Sequence, residues 1–335
     1  MRRLGYVAAL DGIRGLAILG VVLSHAERGG AFGNYVPFLF RGTLGVDLFF
    51  VLSGFLITTL LIEERAASGR LSLRGFYARR ARRLLPALGV MLVAYVFVDG
   101  GTTHALHRAA TYGLYFGNLY QAVWAGSGYT GLNHLWSLAE EEQFYLFWPL
   151  AMILISRSLQ PLRWTVGLFV AALGWRTLVV TGAVHSYSSL VNLCPDTNAG
   201  GLMLGAVVAY WRPRVGNLLA IGSLVGVLAL WFVGLPAWAD SPLFDVASAG
   251  LVLAAVSPTI VARWLSTRSL VWLGTISYSL YLWHFWILGT LGWPLRPLTI
   301  AISVLVAWLS YRLVEVPFRR RRDHRPVLAP ATAGS

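Results

Sequence analysis

Apolar residues run along almost the whole chain in stretches long enough to cross a bilayer, or nearly so. Ten stand out, at 8–28, 44–64, 84–101, 135–156, 163–182, 197–211, 216–235, 243–262, 270–291 and 296–316. An eleventh, 104–124, is less apolar and carries His104, His107, Arg108, Asn118 and Gln121. The pattern predicts an all-α, polytopic transmembrane helix bundle. Arginine placement decides how the eleventh stretch is read, because cytoplasmic loops collect positive charge. Segment 65–83 holds Arg65, Arg70, Arg74, Arg79, Arg80, Arg82 and Arg83. Arg2 and Arg3 precede the first stretch, and Arg319 to Arg322 with Arg325 follow the last. Both termini are therefore expected inside, which requires an even number of spans. With 104–124 re-entrant or lying on the outer face, ten spans remain. Twenty arginines then fall in inside loops and tails, against Arg28, Arg41, Arg108 and Arg296 outside. Counting 104–124 as a span would invert every later loop.

Composition supports the membrane reading. Hydrophobic residues make up 57% of the 335 positions and charged residues 12%, with a mean hydropathy of +0.64; soluble domains carry about twice that charge. All 27 basic residues are arginine, which excludes a Schiff-base lysine and a Walker-type phosphate lysine. Codon bias or a preference for bidentate phosphate pairing would each produce an arginine-only chain. The formal charge of +13 fits loops facing an anionic leaflet rather than nucleic acid. A single cysteine, Cys194, leaves no disulfide framework. The first stretch carries Asp11, Arg14 and His25 and has no small-residue cleavage site, so it is not read as a signal peptide. Residues 1–322 are expected to form one integral membrane domain without an appended soluble domain, and 323–335 a disordered tail.

Ionisable groups inside a bilayer are expensive, so each is a functional candidate. Arg14 and His25 are eleven residues apart, close to three full turns at about 3.6 residues per turn. They share one face with Ile18, Val21 and Val22, His25 lying roughly 16 Å beyond Arg14. Asp47 sits at a similar depth on the second stretch and is expected to fix the tautomer of His25, or else to serve as a buried structural partner. Ser53 and Gly54 are small residues that permit close helix approach. In NHLWSLAEEEQFYLFWP, Ser137 and Glu140 have the spacing of a capping box. Glu141 and Glu142 exceed what a cap requires and are candidates for binding a hydroxylated acceptor. Ser277, Tyr281 and His284 form one polar stripe at i, i+4 and i+7, Tyr281 being a substrate-binding candidate and His284 a binding or catalytic candidate or a packed histidine. Trp283, Trp286 and Trp293 suit an interfacial belt. Arg176 is expected to find a carboxylate. Arg79, Arg80, Arg82 and Arg83 crowd the start of the third stretch, where helix N–H groups also attract anions. They serve as a topology signal that contacts anionic lipid, or as a guanidinium fork for the phosphates of a donor. The scattered histidines have no metal-ligand spacing, so no metal is expected.

These segments, in this order, resemble the acyltransferase family 3 membrane proteins. The matching stretches are LDGIRGLAILGVVLSH (10–25), GVDLFFVLSGFLIT (45–58), FYARRARRLLPA (76–87), HLWSLAEEEQFYLFWP (134–149), ISYSLYLWHF (276–285) and VEVPFRR (314–320). The resemblance implies transfer of an acyl group, commonly acetyl, from a cytoplasmic acyl-CoA to a hydroxyl of a sugar or glycoconjugate. By resemblance Arg14 and His25 match the family's arginine-to-histidine pair, and Arg79 to Arg83 its cytoplasmic arginine motif. Glu141 and His284 match the glutamate and histidine of its later segments. CPDTNAGGLMLG departs from the family pattern, with Asn198 and Gly200 standing where an arginine and an aspartate are usual. The implied mechanism has CoA phosphates on the basic cluster, Arg14 guiding the pantetheine arm, and His25 acting as general base or as acyl carrier. No permanently bound cofactor is expected; the partners are acyl-CoA, the bilayer of the cell membrane and a hydroxylated acceptor. A proton-coupled exporter or lipid flippase is the competing class, although the paired broken helices of transporters are not evident.

Overall fold

The computed structural model describes residues 4–27, 42–123, 131–182, 194–233, 235–291 and 296–320. The expected tail at 323–335, Trp293, and Arg2, Arg3, Arg28, Arg41, Arg321, Arg322 and Arg325 lie outside the described residues. Among those described, every regular element is a helix. In chain order these are α1 (Ala8–Glu27), α2 (Gly42–Ser68), α3 (Leu73–Val98), α4 (Thr103–Gly113), α5 (Gly117–Val123), α6 (Trp136–Ile155) and α7 (Pro161–Val180). Then follow α8 (Pro195–Trp211), α9 (Asn217–Phe232), α10 (Ala237–Ala255), α11 (Ile260–Leu265), α12 (Arg268–Thr290) and α13 (Arg296–Ser310). A π-turn, Tyr311–Glu315, leads from α13 into α14 (Val316–Arg320). Nine of the ten expected stretches each fall on one long helix, and 243–262 is divided between α10 and α11. Among the described residues, five helical segments, beginning at Ala8, Thr43, Leu73, Pro161 and Pro297, are long and apolar enough to cross a membrane.

Three boundaries differ from the expectation. Stretch 104–124 forms two helices, α4 and α5, of 11 and 7 residues. At about 1.5 Å per residue neither reaches across a bilayer. The chain breaks between them at Tyr115, whose φ is 60°. The third helix begins eleven residues earlier than its apolar run, because the hydroxyl of Ser72 accepts from the amide of Gly75 and caps it. Arg79 to Arg83 therefore lie in its second and third turns, where the backbone amides already bond within the helix, and not at its N-terminus. Helix α10 ends at Ala255, and the Thr259 hydroxyl caps the separate short helix α11.

Two helix pairs set the architecture. Helix α1 packs along α12, and α2 along α8; α2 also touches α1, α6 and α10. Both contacts are backbone against backbone. A Cβ on Gly274 would lie 1.8 Å from the Asp11 carbonyl oxygen, and one on Gly15 would lie 2.2 Å from that of Leu270. Across α2 and α8, a Cβ on Gly54 would lie 1.9 Å from the Leu202 carbonyl and one on Gly205 2.0 Å from that of Val51. Small residues permit this approach in a medium that offers helices no hydrophobic drive to associate. One apolar core joins α1, α2 and the α8–α11 side, and a second joins α1, α2, α3, α6 and α12.

Gly274→Ala and Gly54→Ala should each destabilise the protein by about 1–3 kcal/mol through overpacking. Gly167→Ala, at a position with open space beside it, should be neutral. Thermal unfolding of the purified protein in detergent checks this, and equal melting temperatures for all three variants would refute the backbone contacts.

Candidate active site

A cavity of about 240 Å³ lies among α1, α2, α3, α6 and α12. Its walls include Val46 and Glu63 of α2, seventeen residues apart, so it follows that helix for about 25 Å. Arg14, Glu63 and Arg83 mark one end, and Val46, Ser137 and Tyr281 the other. Glu63 accepts from the Leu4 amide at 2.7 Å, and this bond holds the chain entering α1 beside the arginine end. The stripe predicted on α12 is present: Ser277 and Tyr281 line the cavity, and His284 lies one turn beyond.

One helical turn beyond the Tyr281 end, outside the cavity lining, three histidines meet. Nδ1 of His25 lies 2.9 Å from Nε2 of His284, and the rings stack with centroids 5.1 Å apart. The tautomers follow from the next bonds. Nδ1 of His284 lies 2.9 Å from the carbonyl oxygens of both Leu280 and Tyr281, which only accept, so this nitrogen carries the proton. In neutral His284 the lone pair is then on Nε2 and accepts from Nδ1–H of His25. That leaves the lone pair of His25 on Nε2, a base and a nucleophile. The partner at Nδ1 of His25 is thus a histidine, where the sequence reading placed Asp47. Asp47 stands close enough to Glu140 and Asp245 to act on both electrostatically.

The third histidine, His134, was passed over as a candidate in the sequence. It is buried against His284 and Tyr281, with ring centroids 5.3 Å away in both cases. Its carbonyl accepts from the Tyr281 hydroxyl. The same hydroxyl is 2.6 Å from that of Ser137, so Ser137 is engaged with α12 and does not cap α6. A short 3-10 turn, Asn133–Leu135, leads into α6 in place of a side-chain cap. The only signal for His134 was its position at the head of HLWSL.

The three glutamates of α6 point three ways. Glu141 faces the cavity and accepts from the hydroxyls of Ser53 and Tyr145; Ser53 is therefore a donor and not merely a small residue. Glu142 accepts from Arg80 at 2.6 Å, and the Arg80 guanidinium lies 3.4 Å over the Tyr145 ring. Glu140 is buried and accepts both Nδ2 bonds of Asn198, at 3.1 and 3.2 Å. Asn198 in turn accepts from Arg176 at 2.8 Å. Arg176 thus reaches its carboxylate through an amide.

The basic cluster also divides. Arg79 pairs with Glu64 at 2.7 Å, Arg80 is committed to Glu142, and Nε of Arg82 donates to the Ala78 carbonyl at 2.9 Å. Arg14 pairs with Asp11. Arg83 has no carboxylate partner among the described residues. It lines both the cavity and a surface depression of about 320 Å³ that it shares with Arg79, Arg82 and Arg319. Trp283 is buried and Trp286 packs beside it, with rings 5.8 Å apart. The two form part of the α12 core and not an interfacial belt.

Comparison with known proteins gives a consistent answer. The Staphylococcus aureus strain COL protein SACOL0978, named provisionally as an O-acetyltransferase, is 29% identical over 360 residues, covering 95% of this chain and 58% of the relative. The O-acetyltransferase OatA of S. aureus strain NCTC 8325 / PS 47 is 28% identical over 355 residues, covering 94% of this chain and 58% of its own length. The chain thus spans a little under three fifths of the length of these curated relatives. No solved structure matches it. The acyltransferase domain family, Acyl_transf_3, matches residues 7–313, and the chain belongs to that family.

Proposed function

We propose that the protein is an integral membrane O-acyltransferase. It takes an acyl group, acetyl in our reading, from a cytoplasmic acyl-CoA and passes it to a hydroxyl of a carbohydrate, glycoconjugate or glycosylated natural product. It crosses the cell membrane ten times with both termini cytoplasmic, and α4 and α5 lie at the outer face. The observation that carries the reading is the cavity that runs from an arginine-bearing end to Tyr281, one helical turn short of the His25–His284 pair. The depression formed by Arg79, Arg82, Arg83 and Arg319 offers guanidinium groups to the CoA phosphates. Arg83, shared by depression and cavity, hands the pantetheine arm inward past Arg14.

At the other end Nε2 of His25 takes the proton from the acceptor hydroxyl as its oxygen attacks the thioester carbonyl. The tetrahedral intermediate collapses, the C–S bond breaks, and the CoA thiolate recovers the proton from Nε2–H. His284 holds His25 in the required tautomer. Glu141 orients the arm or the acceptor along the cavity wall, and Tyr281 fixes the helices on either side.

His25→Ala should lower acceptor-dependent CoA release from acetyl-CoA by about 10²–10⁴-fold while the melting temperature is kept. A folded variant with full turnover would remove His25 from the chemistry, and no turnover by the wild type with any acyl-CoA would overturn the acyltransferase reading. His284→Phe removes the acceptor for Nδ1–H of His25 and should lower kcat by about 10²-fold, with displacement of the pH–rate profile. His284→Gln can still accept and should recover part of the loss; equal losses for both would refute the tautomer role. Arg83→Ala should raise KM for acetyl-CoA by about tenfold, as expected for a lost charge-assisted bond, with little change in kcat.

A further inference from the structure

A second and larger cavity, of about 760 Å³, lies on the other side of the Arg80–Glu142 pair. It is a groove among α3, the joint between α4 and α5, α6 and α8. Arg80, Leu84, Glu142 and Tyr145 line both this groove and the smaller cavity, so a single layer of side chains separates the two. The rim of the groove is apolar and turned outward. Leu85 of α3, Leu114 and Phe116 of the joint, and Leu146 and Phe147 of α6 line it, and they are 47% to 68% exposed. Helix α3 is long and apolar enough to cross a membrane, so in place these residues meet the hydrocarbon of the bilayer. What fills the groove comes from the bilayer.

Two of the side chains that line the groove carry an unmet donor. Oη of Tyr115 and Nε of Arg80 are buried and have no hydrogen-bond partner. No water is at hand in hydrocarbon, and a polar group left unpaired there is costly. Tyr115 is also one of two described residues other than glycine with a positive φ, 60°, in the left-handed region that side chains seldom adopt. Its backbone is held there, because Nε2 of Gln143 donates to its carbonyl at 2.8 Å and Gln143 is paired with Asn118 at 3.0 and 3.1 Å. Strain of this kind persists where the surroundings fix it, and it gathers at ligand sites. The scaffold thus fixes the backbone of Tyr115 and leaves its hydroxyl unengaged. The missing group is an acceptor, since Nε of arginine only donates. It is a neutral one: Glu140, Glu142 and Asp196 line the groove with Arg80 as its single cation, and that cation is already matched by Glu142. A phosphate or a free carboxylate would be repelled, an ammonium would leave both donors unmet, and so would a bare alkyl chain. The ester carbonyl at the head of a lipid acyl chain is neutral and accepts.

We propose that this groove binds one acyl chain of a bilayer glycerolipid, whose ester carbonyl accepts from Oη of Tyr115 and Nε of Arg80. The lipid is held and not consumed. Its site is separate from the path of the acyl donor, because the Arg80–Glu142 pair and the Tyr145 ring stand between groove and cavity. The inference rests on the membrane setting of the chain and not on the acyltransferase reading.

The test reads binding alone. The purified full chain in detergent is titrated with monoolein, a glycerol ester, with the matching oleyl glycerol ether, which lacks the carbonyl, and with oleate. Bound molecules are counted by native mass spectrometry. Monoolein should saturate at one molecule per chain. The ether should bind about fivefold more weakly, the size of one neutral hydrogen bond, and oleate no better than the ether. Tyr115→Phe should bring monoolein down to the affinity of the ether and leave the ether unchanged. Ala81→Phe, which puts a ring into the groove, should weaken both. No saturable binding by the wild type, equal affinity for ester and ether, or a Tyr115→Phe variant that binds monoolein as the wild type does would each overturn the site. A preference for oleate would also overturn it, assigning Arg80 to an anion. Should Ala81→Phe fail to fold, the ester and ether affinities of the wild type and Tyr115→Phe decide the matter. CoA turnover enters none of these readings, so failure of the acyltransferase reading would leave the lipid site standing.

Discussion

The backbone contact between α1 and α12 governs the chemistry. A Cβ on Gly15 would lie 3.2 Å from the amide nitrogen of Gly274, so the two helices touch there with nothing between them. His25 and His284 follow ten residues later on each helix, about 15 Å along both axes. Two parallel helices that leave a common contact by the same number of residues arrive at the same height. The 2.9 Å bond between the rings is therefore set by glycines near the other end of the bundle, and a slip of one turn would separate the rings by about 5.4 Å. The α2–α8 contact plays the corresponding part for Ser53 and Asn198, which face α6 from either side.

The two ends of the bundle hold different chemistry because their charges are neutralised differently. At the arginine end most guanidiniums have assigned partners: Asp11 for Arg14, Glu64 for Arg79, Glu142 for Arg80 and Glu315 for Arg319. In the depression the guanidiniums of Arg82 and Arg83 have no carboxylate partner among the described residues, and Arg83 stands between the depression and the cavity. At the histidine end the groups are neutral rings, hydroxyls and amide-bridged charges, which suit proton transfer and hydrogen bonding. A bilayer enforces this economy, since an ionised group in hydrocarbon persists only with a partner or beside water.

Much of this was legible in the sequence, because hydropathy and helical periodicity are local. All ten apolar stretches are helical, 243–262 being divided between α10 and α11, and Ser277, Tyr281 and His284 share the stripe that their spacing prescribed. What failed was pairing between distant helices. Asp47 was set beside His25 on similar depth alone, and depth does not specify azimuth; the bond at Nδ1 of His25 comes from His284 of α12, which no local pattern announced. Ser137 and Glu140 match a capping box by spacing, yet their hydroxyl and carboxylate are taken by Tyr281 and Asn198, both far along the chain. Arg79 to Arg83 read as one cluster because they are contiguous, whereas a helix turns them toward different partners. His134 could not be found by periodicity, as it precedes α6 in a three-residue turn.

Arg80 and Glu142 are 62 residues apart, and this separation bears on how the protein is made. Ribosomes add about 5–20 residues per second, so several seconds pass between synthesis of the arginine and of the carboxylate that neutralises it. Arg80 stands at the cytoplasmic end of α3, ahead of its apolar run, and both groups that hold its guanidinium, the Glu142 carboxylate and the Tyr145 ring, belong to α6. The arginine-bearing wall of the cavity is therefore completed only when α6 arrives.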